Sequence, residues 1–397
     1  MRLHIDRCAL VPRAVSNHES SSSFKIKNVP RHLAKEEVKM KTLLRLLLKS
    51  QHQRNRSGSA QTEKGMTLVE LLVGSIMAFL IITPMLAFVV DMLNTDRREQ
   101  VKASTEQDIQ AAVDFIAQDL SQAIYIYDNN TAVNGTPNTT PTGIPALLAE
   151  NFLPPQNVNQ TPILVFWKRE LIENSMPLTA GAQPNTCQPQ PPQTGPKTCN
   201  DTYVLALVAY YQVSGSAGIW CQPSGTPCPS RIVRYRIKDG LRDPSSTQIN
   251  PLDNYFTGVS TAQKRSDAFN PVFDISKPTE KVTTGQNNFS DPPEVLVNYI
   301  DHSPGPAFPV DVCKTALGNP TIQNGSATEE ISEDRLKIVG LTNSFYACVD
   351  TQRNIARVTI RGNSLRRIQT DANYAANKSA YFPTASVQVQ GLGARGK

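Results

Sequence analysis

Histidine is scarce in most of this 397-residue chain. Four of the five histidines precede residue 66, so His302 is the only one in everything that follows. A folded region with one histidine has little scope for histidine-based catalysis or for a histidine-rich metal site. Because His302 lies in the proline-broken stretch DHSPGPAFP, the sequence predicts a solvated loop histidine at this position.

Several motifs of catalysis and nucleotide binding are also missing. The chain has no GxxxxGK[ST] phosphate loop, no HExxH, no GxSxG and no glycine-rich nucleotide fingerprint after a strand. The sequence therefore predicts a protein that is not an enzyme and that uses no cofactor or metal. Five scattered carboxylates lack the EF-hand spacing for calcium, so solvated loop positions are expected. They are Asp243, Asp253, Asp267, Asp274 and Glu280.

Positive charge is concentrated before residue 66. Residues 1–65 contain fourteen Lys and Arg against five Asp and Glu, a net charge of +9, which leaves −3 of the chain total of +6 for the remainder. A mildly acidic remainder argues against nucleic-acid binding, which needs basic residues on the folded domain. Five later arginines form a local basic cluster, and the expected arrangement is an exposed hairpin face. They are Arg353, Arg357, Arg361, Arg366 and Arg367.

The cysteines indicate an oxidising compartment for most of the chain. Cys8 lies in the basic leader and six cysteines follow residue 66. An even number favours disulfides, although six cysteines allow fifteen pairings, and no CxxC spacing suggests zinc. The spacings favour two short proline-rich loops, Cys187 with Cys199 and Cys221 with Cys228, and a tie between Cys313 and Cys348.

One stretch is long and apolar enough to cross a membrane. Leu71 to Val90 is uncharged over twenty residues, which at about 1.5 Å per helical residue spans the roughly 30 Å of a bilayer core. The run is longer than the core of a cleaved secretory signal and has no Ala-x-Ala-like site after it. The basic leader favours a cytoplasmic N-terminus, which places the cysteine-bearing part outside the cytoplasm.

The start of this stretch, KGMTLVELLVG, resembles the processing site of type IV pilins and pseudopilins. The resemblance implies that a prepilin peptidase cuts between Gly65 and Met66 and methylates the new amine of Met66. It also gives Glu70 a role, because an ionised carboxylate in hydrocarbon costs at least about 2.5 kcal/mol without a partner. That partner is implied to be the N-terminal amine of an adjacent subunit. The leader is long for this family, and Met40 is the expected true start.

The residues that follow predict a helix and then an antiparallel sheet. Apolar side chains recur at helical spacing from Ile109 to Ile124, while strand-like runs begin at Thr161 and continue to the closing TASVQVQG. The stretch from Asp239 to Pro293 is polar and proline-rich, so long loops or disordered decoration are expected there. The predicted layout is a leader (1–65), a membrane and assembly helix (66–93), its amphipathic continuation (94–127) and a periplasmic β-rich head (128–397).

This order of elements is the α+β fold that the family resemblance implies, with a long N-terminal helix packed on an antiparallel head. The segments EVLVNYI and YFPTASVQVQG, with the helix before them, are similar to cyanobacterial pseudopilins of hormogonium polysaccharide secretion. The similarity implies a minor filament subunit in the inner membrane that supports polysaccharide export and gliding. Implied partners are other pseudopilins or pilins, the prepilin peptidase and an inner-membrane assembly platform, with no nucleic acid.

Two other classes of function remain open from the sequence. A membrane-anchored periplasmic enzyme acting on glycans would use a pair of head carboxylates, which sequence does not reveal because their separation in space defines them. In a DNA-uptake or adhesive minor pilin, the head would bind a ligand directly, and the arginines near Arg357 would matter most.

Overall fold

One long helix and two antiparallel sheets dominate the fold, which is α+β. The computed structural model describes residues 67–130, 143–179, 181–187, 198–215, 218–246, 254–261, 263–270, 288–324 and 326–395. The chain divides between Ile82 and Thr83 into two compact units. The described part of the first unit is the beginning of the helix, and the second unit contains both sheets.

The helix, α1, runs from Leu68 to Ser121 and continues through Pro84 without interruption. The predicted helix to residue 127 is wrong at its end, because Ala123–Ile126 forms strand β1. Ile124 continues the apolar spacing of the helix, but the run AIYI is rich in strand-forming side chains and pairs with a neighbouring strand.

The first sheet has five antiparallel strands that are neighbours in the order of the chain. After β1 come β2 (Gln160–Pro177), β3 (Cys199–Val213), β4 (Ser230–Lys238) and β5 (Glu294–Ile300). In the register of this sheet Trp167 lies opposite Leu207, and Leu207 lies opposite Ile237. The central strands are buried on both faces, since residues 161–168 of β2 and 206–212 of β3 are buried without a break.

The second sheet has four antiparallel strands in the order β11-β10-β9-β8. Its strands are β8 (Lys337–Val339), β9 (Phe345–Asp350), β10 (Ile355–Arg361) and β11 (Thr384–Gln390). The β9–β10 hairpin turns at TQRN, as the sequence predicts. An isolated bridge between Ile300 and Gly362 connects the end of the first sheet to the second.

Short elements fill the connections. Helices α2 (Ile144–Ala149), α3 (Val312–Leu317) and α4 (Glu333–Leu336) and the hairpin β6 (Thr321–Asn324) with β7 (Ala327–Glu330) were not expected from the sequence. Each is too short for hydrophobic periodicity to identify it.

The described part of the stretch from Asp239 to Pro293 packs on the first sheet, whereas the sequence predicts long loops or disordered decoration there. Leu241 and Phe256 are buried in a small cluster with Ile172 and Val204. Phe269 packs edge-to-face on Trp167 with ring centroids 6.1 Å apart. These loops therefore cover apolar parts of the first sheet, a role that their polar average composition conceals.

Three disulfides brace the described residues. They join Cys187 to Cys199, Cys221 to Cys228 and Cys313 to Cys348. These are the pairs that the spacings favour. The last disulfide links α3 to β9 and lies in a second cluster with Leu317, Ile331 and Leu336.

Candidate functional site

The first half of α1 is apolar on every side and exposed in the single chain. Each Leu, Ile, Val, Met and Phe from Leu68 to Leu93 keeps between 48% (Val89) and 88% (Leu68) of its surface accessible. Soluble monomers rarely expose a continuous apolar surface of more than a few hundred Å². The segment is long and apolar enough to span a membrane. A surface of this kind suits lipid or other apolar helices.

Glu70 lies in the first turn of this exposed segment. Its backbone N–H donates to Thr67 Oγ1 at 3.3 Å, which makes Thr67 the N-cap of α1 and places Glu70 at the third helical position. A Thr-x-x-Glu start is the sequence of a capping box, and a carboxylate in the first turn also favours the helix dipole. The Glu70 carboxylate therefore lies in the first turn, where it favours the helix dipole, a local role that the sequence interpretation missed. Gly65 and Met66, the predicted cleavage residues, lie outside the described residues.

The second half of α1 is fixed to the head by a buried stripe. Ile109, Val113, Ile116 and Leu120 are each at most 1% exposed and pack in one core with both sheets. The helix and the second sheet approach each other closely at Gly362, just after β10, where an added Cβ atom would overlap Ile109 Cδ1 and crowd Thr105 Cγ2. An alanine at this position would require both side chains to shift.

A buried ionic cluster adds to this apolar contact. The Asp119 carboxylate, 6% exposed, accepts hydrogen bonds at 2.7 Å from Lys168 Nζ, Arg234 Nε and the Tyr210 hydroxyl. These three partners come from β2, β4 and β3, so one helical side chain contacts three adjacent strands. Arg234 also donates to Glu294 at 3.0 Å, which extends the cluster to β5.

The electrostatics keep Asp119 ionised. Burial alone would raise the pKa of Asp119, but Arg234, with Lys168 and Tyr210, outweighs it and holds that pKa below the ordinary value of 3.8. Desolvation would lower the pKa of Arg234, and Asp119 reverses that tendency and raises it. An ionised Asp119 with paired cations defines the register of the helix on the first sheet, because a shifted helix would leave buried charges unpaired.

A second polar contact holds the helix further towards its N-terminus. Arg367 Nε donates to Thr105 Oγ1 at 2.9 Å, and its Nη2 donates to Asp108. The Arg367 guanidinium also lies 4.4 Å from the ring centroid of Tyr299. The segment after β10 therefore binds α1 at Thr105 and Asp108, just before the buried stripe begins at Ile109.

The predicted exposed arginine face is wrong for most of its members. Arg361 is 8% exposed and pairs with buried Asp301 at 3.0 Å. Arg366 is fully buried and donates to the carbonyls of Pro223, Gly225 and Pro227 in the Cys221–Cys228 loop. Arg353 is exposed, as the sequence predicts, and also pairs with Asp350. Arginine at these positions supplies several hydrogen bonds to acceptors that come from distant parts of the chain.

His302 is likewise not the solvated loop residue that the sequence predicts. It is half-buried beside the Cys221–Cys228 loop, and burial lowers its pKa against the opposing influence of Asp301. Of the five predicted loop carboxylates, Asp253, Asp274 and Glu280 lie outside the described residues, and each of the other two accepts a hydrogen bond from a serine hydroxyl. Asp243 accepts from Ser245, and Asp267 accepts from Ser290. Among the described residues no three His, Cys, Asp or Glu side chains form a group that could hold a metal ion.

The Asp119 cluster is the main feature that sequence reasoning missed. Its signals are present: an acidic residue between Ile116 and Leu120 on the buried stripe, and cations within apolar strands. The members of each ion pair are as many as 115 residues apart in the chain. A single sequence does not show which cation pairs with which acid over such a separation.

Comparison with known proteins gives no relative. No family model, no curated protein and no solved structure matches this chain. The functional interpretation therefore depends on the processing motif and on the two contrasting halves of α1.

Proposed function

We propose that this chain is a minor pseudopilin, a structural subunit of a filament related to type IV pili and type II secretion. One observation carries the proposal. A single uninterrupted helix has a wholly exposed apolar half, with Glu70 in its first turn, and a half that is built into an α+β head. This arrangement is compatible with a pilin-like layout, in which the apolar half would be available for a membrane and then for a bundle of like helices, while the head would remain folded throughout.

The processing motif supplies the second support. Cleavage after Gly65 would leave Met66 as the first residue, one residue ahead of the Thr67 N-cap. The new amine would then lie at the start of α1, and Glu70 within its first turn. In a bundle, the amine of one subunit neutralises the Glu70 carboxylate of the next, which removes the cost of an unpaired charge in an apolar environment.

The proposed location is the inner membrane, with the N-terminus in the cytoplasm and the head in the periplasm. The basic leader supports this orientation through the positive-inside rule. The disulfides support it because they persist in oxidising compartments. The partners proposed with it are other pseudopilins, the prepilin peptidase and an inner-membrane assembly platform.

Polysaccharide export and gliding motility are proposed as the process that this filament serves. The support is the sequence similarity of the helical region, EVLVNYI and YFPTASVQVQG to pseudopilins of that system. The DNA-uptake alternative has less support, since Arg361 and Arg366 bind acceptors within the head and Arg367 binds acceptors on α1. The anchored glycan enzyme differs in a testable way, because its activity would not depend on Glu70.

Two substitutions separate the proposed assembly role of the Glu70 charge from the capping of α1 by Thr67. Glu70→Gln retains a capping-box residue but removes the charge, while Thr67→Ala removes the cap but retains the charge. We expect the Glu70→Gln chain to remain in the membrane yet to be lost from cross-linked assemblies with other pseudopilins, and the Thr67→Ala chain to be incorporated. Equal incorporation of both chains would contradict the proposed role of Glu70.

A further inference from the structure

The β2–β3 hairpin extends beyond its neighbours in the first sheet. β1 pairs with β2 no further than Lys168, and β4 pairs with β3 no further than Ala206. The rest of the hairpin is therefore a two-stranded ribbon. One face of this ribbon is covered, because its Ile172 and Val204 are buried beneath the loop that follows β4.

The opposite face of the ribbon is exposed. Leu171 lies opposite Tyr203 in the register, and Arg169 is two residues before Leu171 on the same face. Tyr203 keeps 65% of its surface accessible and is the most exposed aromatic residue of the described head. This face forms one side of a groove of about 710 Å³. The other described residues that line the groove are Gln122, Ile124, Leu392 and Gly393.

The other side of the groove comes from β1 and from a single 3₁₀ turn at Leu392–Arg395. A Cβ atom added to Gly393 would overlap the carbonyl oxygen of Ile124, so this turn packs closely on β1. Leu392 itself remains exposed beside the groove. The groove is therefore formed by elements that are already in contact, as ligand pockets usually are.

The groove lies at the end of the head where α1 ends. The helix ends at Ser121, next to Gln122, which is twenty-eight residues beyond Leu93 at the end of the apolar half. At about 1.5 Å per helical residue this separation is about 42 Å. A groove this far along α1 from the apolar half is not placed to bind lipid.

The chemistry of the groove is a free cation beside an exposed aromatic ring. Among the described residues Arg169 forms no ion pair, and the Tyr203 hydroxyl forms no hydrogen bond. The described lining contains no carboxylate, so Arg169 gives the groove a positive charge. A guanidinium favours carboxylate ligands, while Tyr203 and Leu171 offer an apolar surface. The groove therefore suits a ligand that is anionic and also has an apolar face.

The size of the groove favours a small ligand or one unit of a polymer. Stable protein–protein interfaces use about 20 to 30 residues on each side. Seven described residues line this groove. Its volume falls within the range of about 300 to 1,000 Å³ that is typical of small-molecule pockets, which combine apolar walls with a few polar groups.

We propose that this groove binds an acidic sugar unit of a polysaccharide. The C–H groups on one face of the pyranose ring pack on Tyr203, and the carboxylate pairs with Arg169. The hydroxyl groups at the edge of the ring bond to the Gln122 amide and the Tyr203 hydroxyl. The choice of a polysaccharide rests on the proposed function, whereas the preference for an anion with an apolar face rests on the groove alone.

Binding of three oligomers to the detergent-solubilised full chain tests the proposal. Tetragalacturonate has sugar rings and charge, maltotetraose has rings without charge, and tetraglutamate has charge without rings. The detergent is dodecyldimethylamine oxide, which has no sugar head group that could compete. In about 0.15 M salt, we expect tetragalacturonate to bind about tenfold more tightly than either of the other two oligomers.

Substitutions of exposed residues locate the site. Arg169→Gln and Tyr203→Leu should each weaken the binding of tetragalacturonate about tenfold. Arg357→Gln, on β10 and outside the groove, is the matched control and should bind as the wild-type chain does. The basic leader is present in every variant, so anion binding by the leader would persist in Arg169→Gln.

Three results would each overturn the proposal. They are the absence of tetragalacturonate binding, equal binding of maltotetraose or tetraglutamate, and wild-type affinity in Arg169→Gln. The proposed function is measured separately, by the processing of the N-terminus. Processing without sugar binding would therefore refute the groove assignment alone, and sugar binding without processing would refute the pseudopilin assignment alone.

Discussion

The two halves of α1 belong to one helix but have opposite surroundings. From Leu68 to Leu93 every side chain is exposed, whereas from Ile109 to Leu120 one stripe is buried against two sheets. The first half is apolar all round, and the second is apolar on one face only. A helix that is apolar all round needs an apolar medium, while an amphipathic one needs a protein surface. The change in periodicity thus marks where α1 ceases to be apolar all round and begins to pack on the head.

The halves also use charge differently. Glu70, in the first half, is exposed and bonds only through its backbone in the described contacts. Asp119, in the second half, is buried with its cations already in place. A carboxylate that is paired with cations of its own chain, such as Asp119, helps to specify the fold. A carboxylate that can pair with a cation of another subunit, as proposed for Glu70, is suited to a role in assembly.

The largest expected effect comes from breaking the buried cluster. Asp119→Ala leaves Lys168 and Arg234 buried without their carboxylate, which should lower the free energy of unfolding by about 3 to 5 kcal/mol. Asp114→Ala, on the exposed side of the same helix, is the matched control and should cost less than about 1 kcal/mol. Denaturant unfolding of the detergent-solubilised chain measures both. Equal losses in the two variants would contradict the assigned role of Asp119.

A charge in the first half should have a different consequence. Leu80→Arg adds about 2.5 to 3.5 kcal/mol to the cost of membrane insertion at the centre of the helix. We expect a smaller membrane-bound fraction on cell fractionation, with unchanged denaturant unfolding of the head. The isosteric Leu80→Met serves as the control. A destabilised head with normal membrane retention would reverse the roles assigned to the two halves.

The close approach at Gly362 should be sensitive to one added methyl group. Gly362→Ala places a Cβ against Ile109 and Thr105, and overpacking of this kind costs about 1 to 3 kcal/mol. Gly74→Ala, where no heavy atom lies within 4 Å of the added Cβ, is the control on the exposed half of the helix. Thermal unfolding should show a loss for the first variant and none for the second.

Acid should weaken the same helix–head contact as Asp119→Ala, but by less, since protonated Asp119 can still form hydrogen bonds. The pKa of Asp119 is lower in the folded chain than its ordinary 3.8. Its contribution is therefore complete above about pH 3.8 and is lost as the pH falls towards the folded pKa. The stability difference between the wild-type chain and Asp119→Ala should shrink below pH 4. A difference independent of pH would show that Asp119 does not act through its charge.

Sequence patterns predicted the strands that are rich in β-branched and aromatic residues and missed features defined by distant contacts. β2, β3, β4 and the β9–β10 hairpin follow from runs of β-branched and aromatic residues between turn formers. β1 was missed because Ile124 continues the helical spacing. The prediction of an exposed arginine face was wrong because composition alone does not distinguish arginines on a solvated face from arginines that form internal hydrogen bonds. Only the fold brings Asp301 to Arg361 and the Cys221–Cys228 loop to Arg366.

The most direct test of the central claim is the intact mass and N-terminal sequence of the mature protein. The comparison is between cells with a functional prepilin peptidase and cells that lack it. The pseudopilin account predicts a chain that begins at N-methylated Met66 only when the peptidase is present. A chain that keeps its leader in both strains, or that is cut at another position, would contradict the account and favour the anchored enzyme.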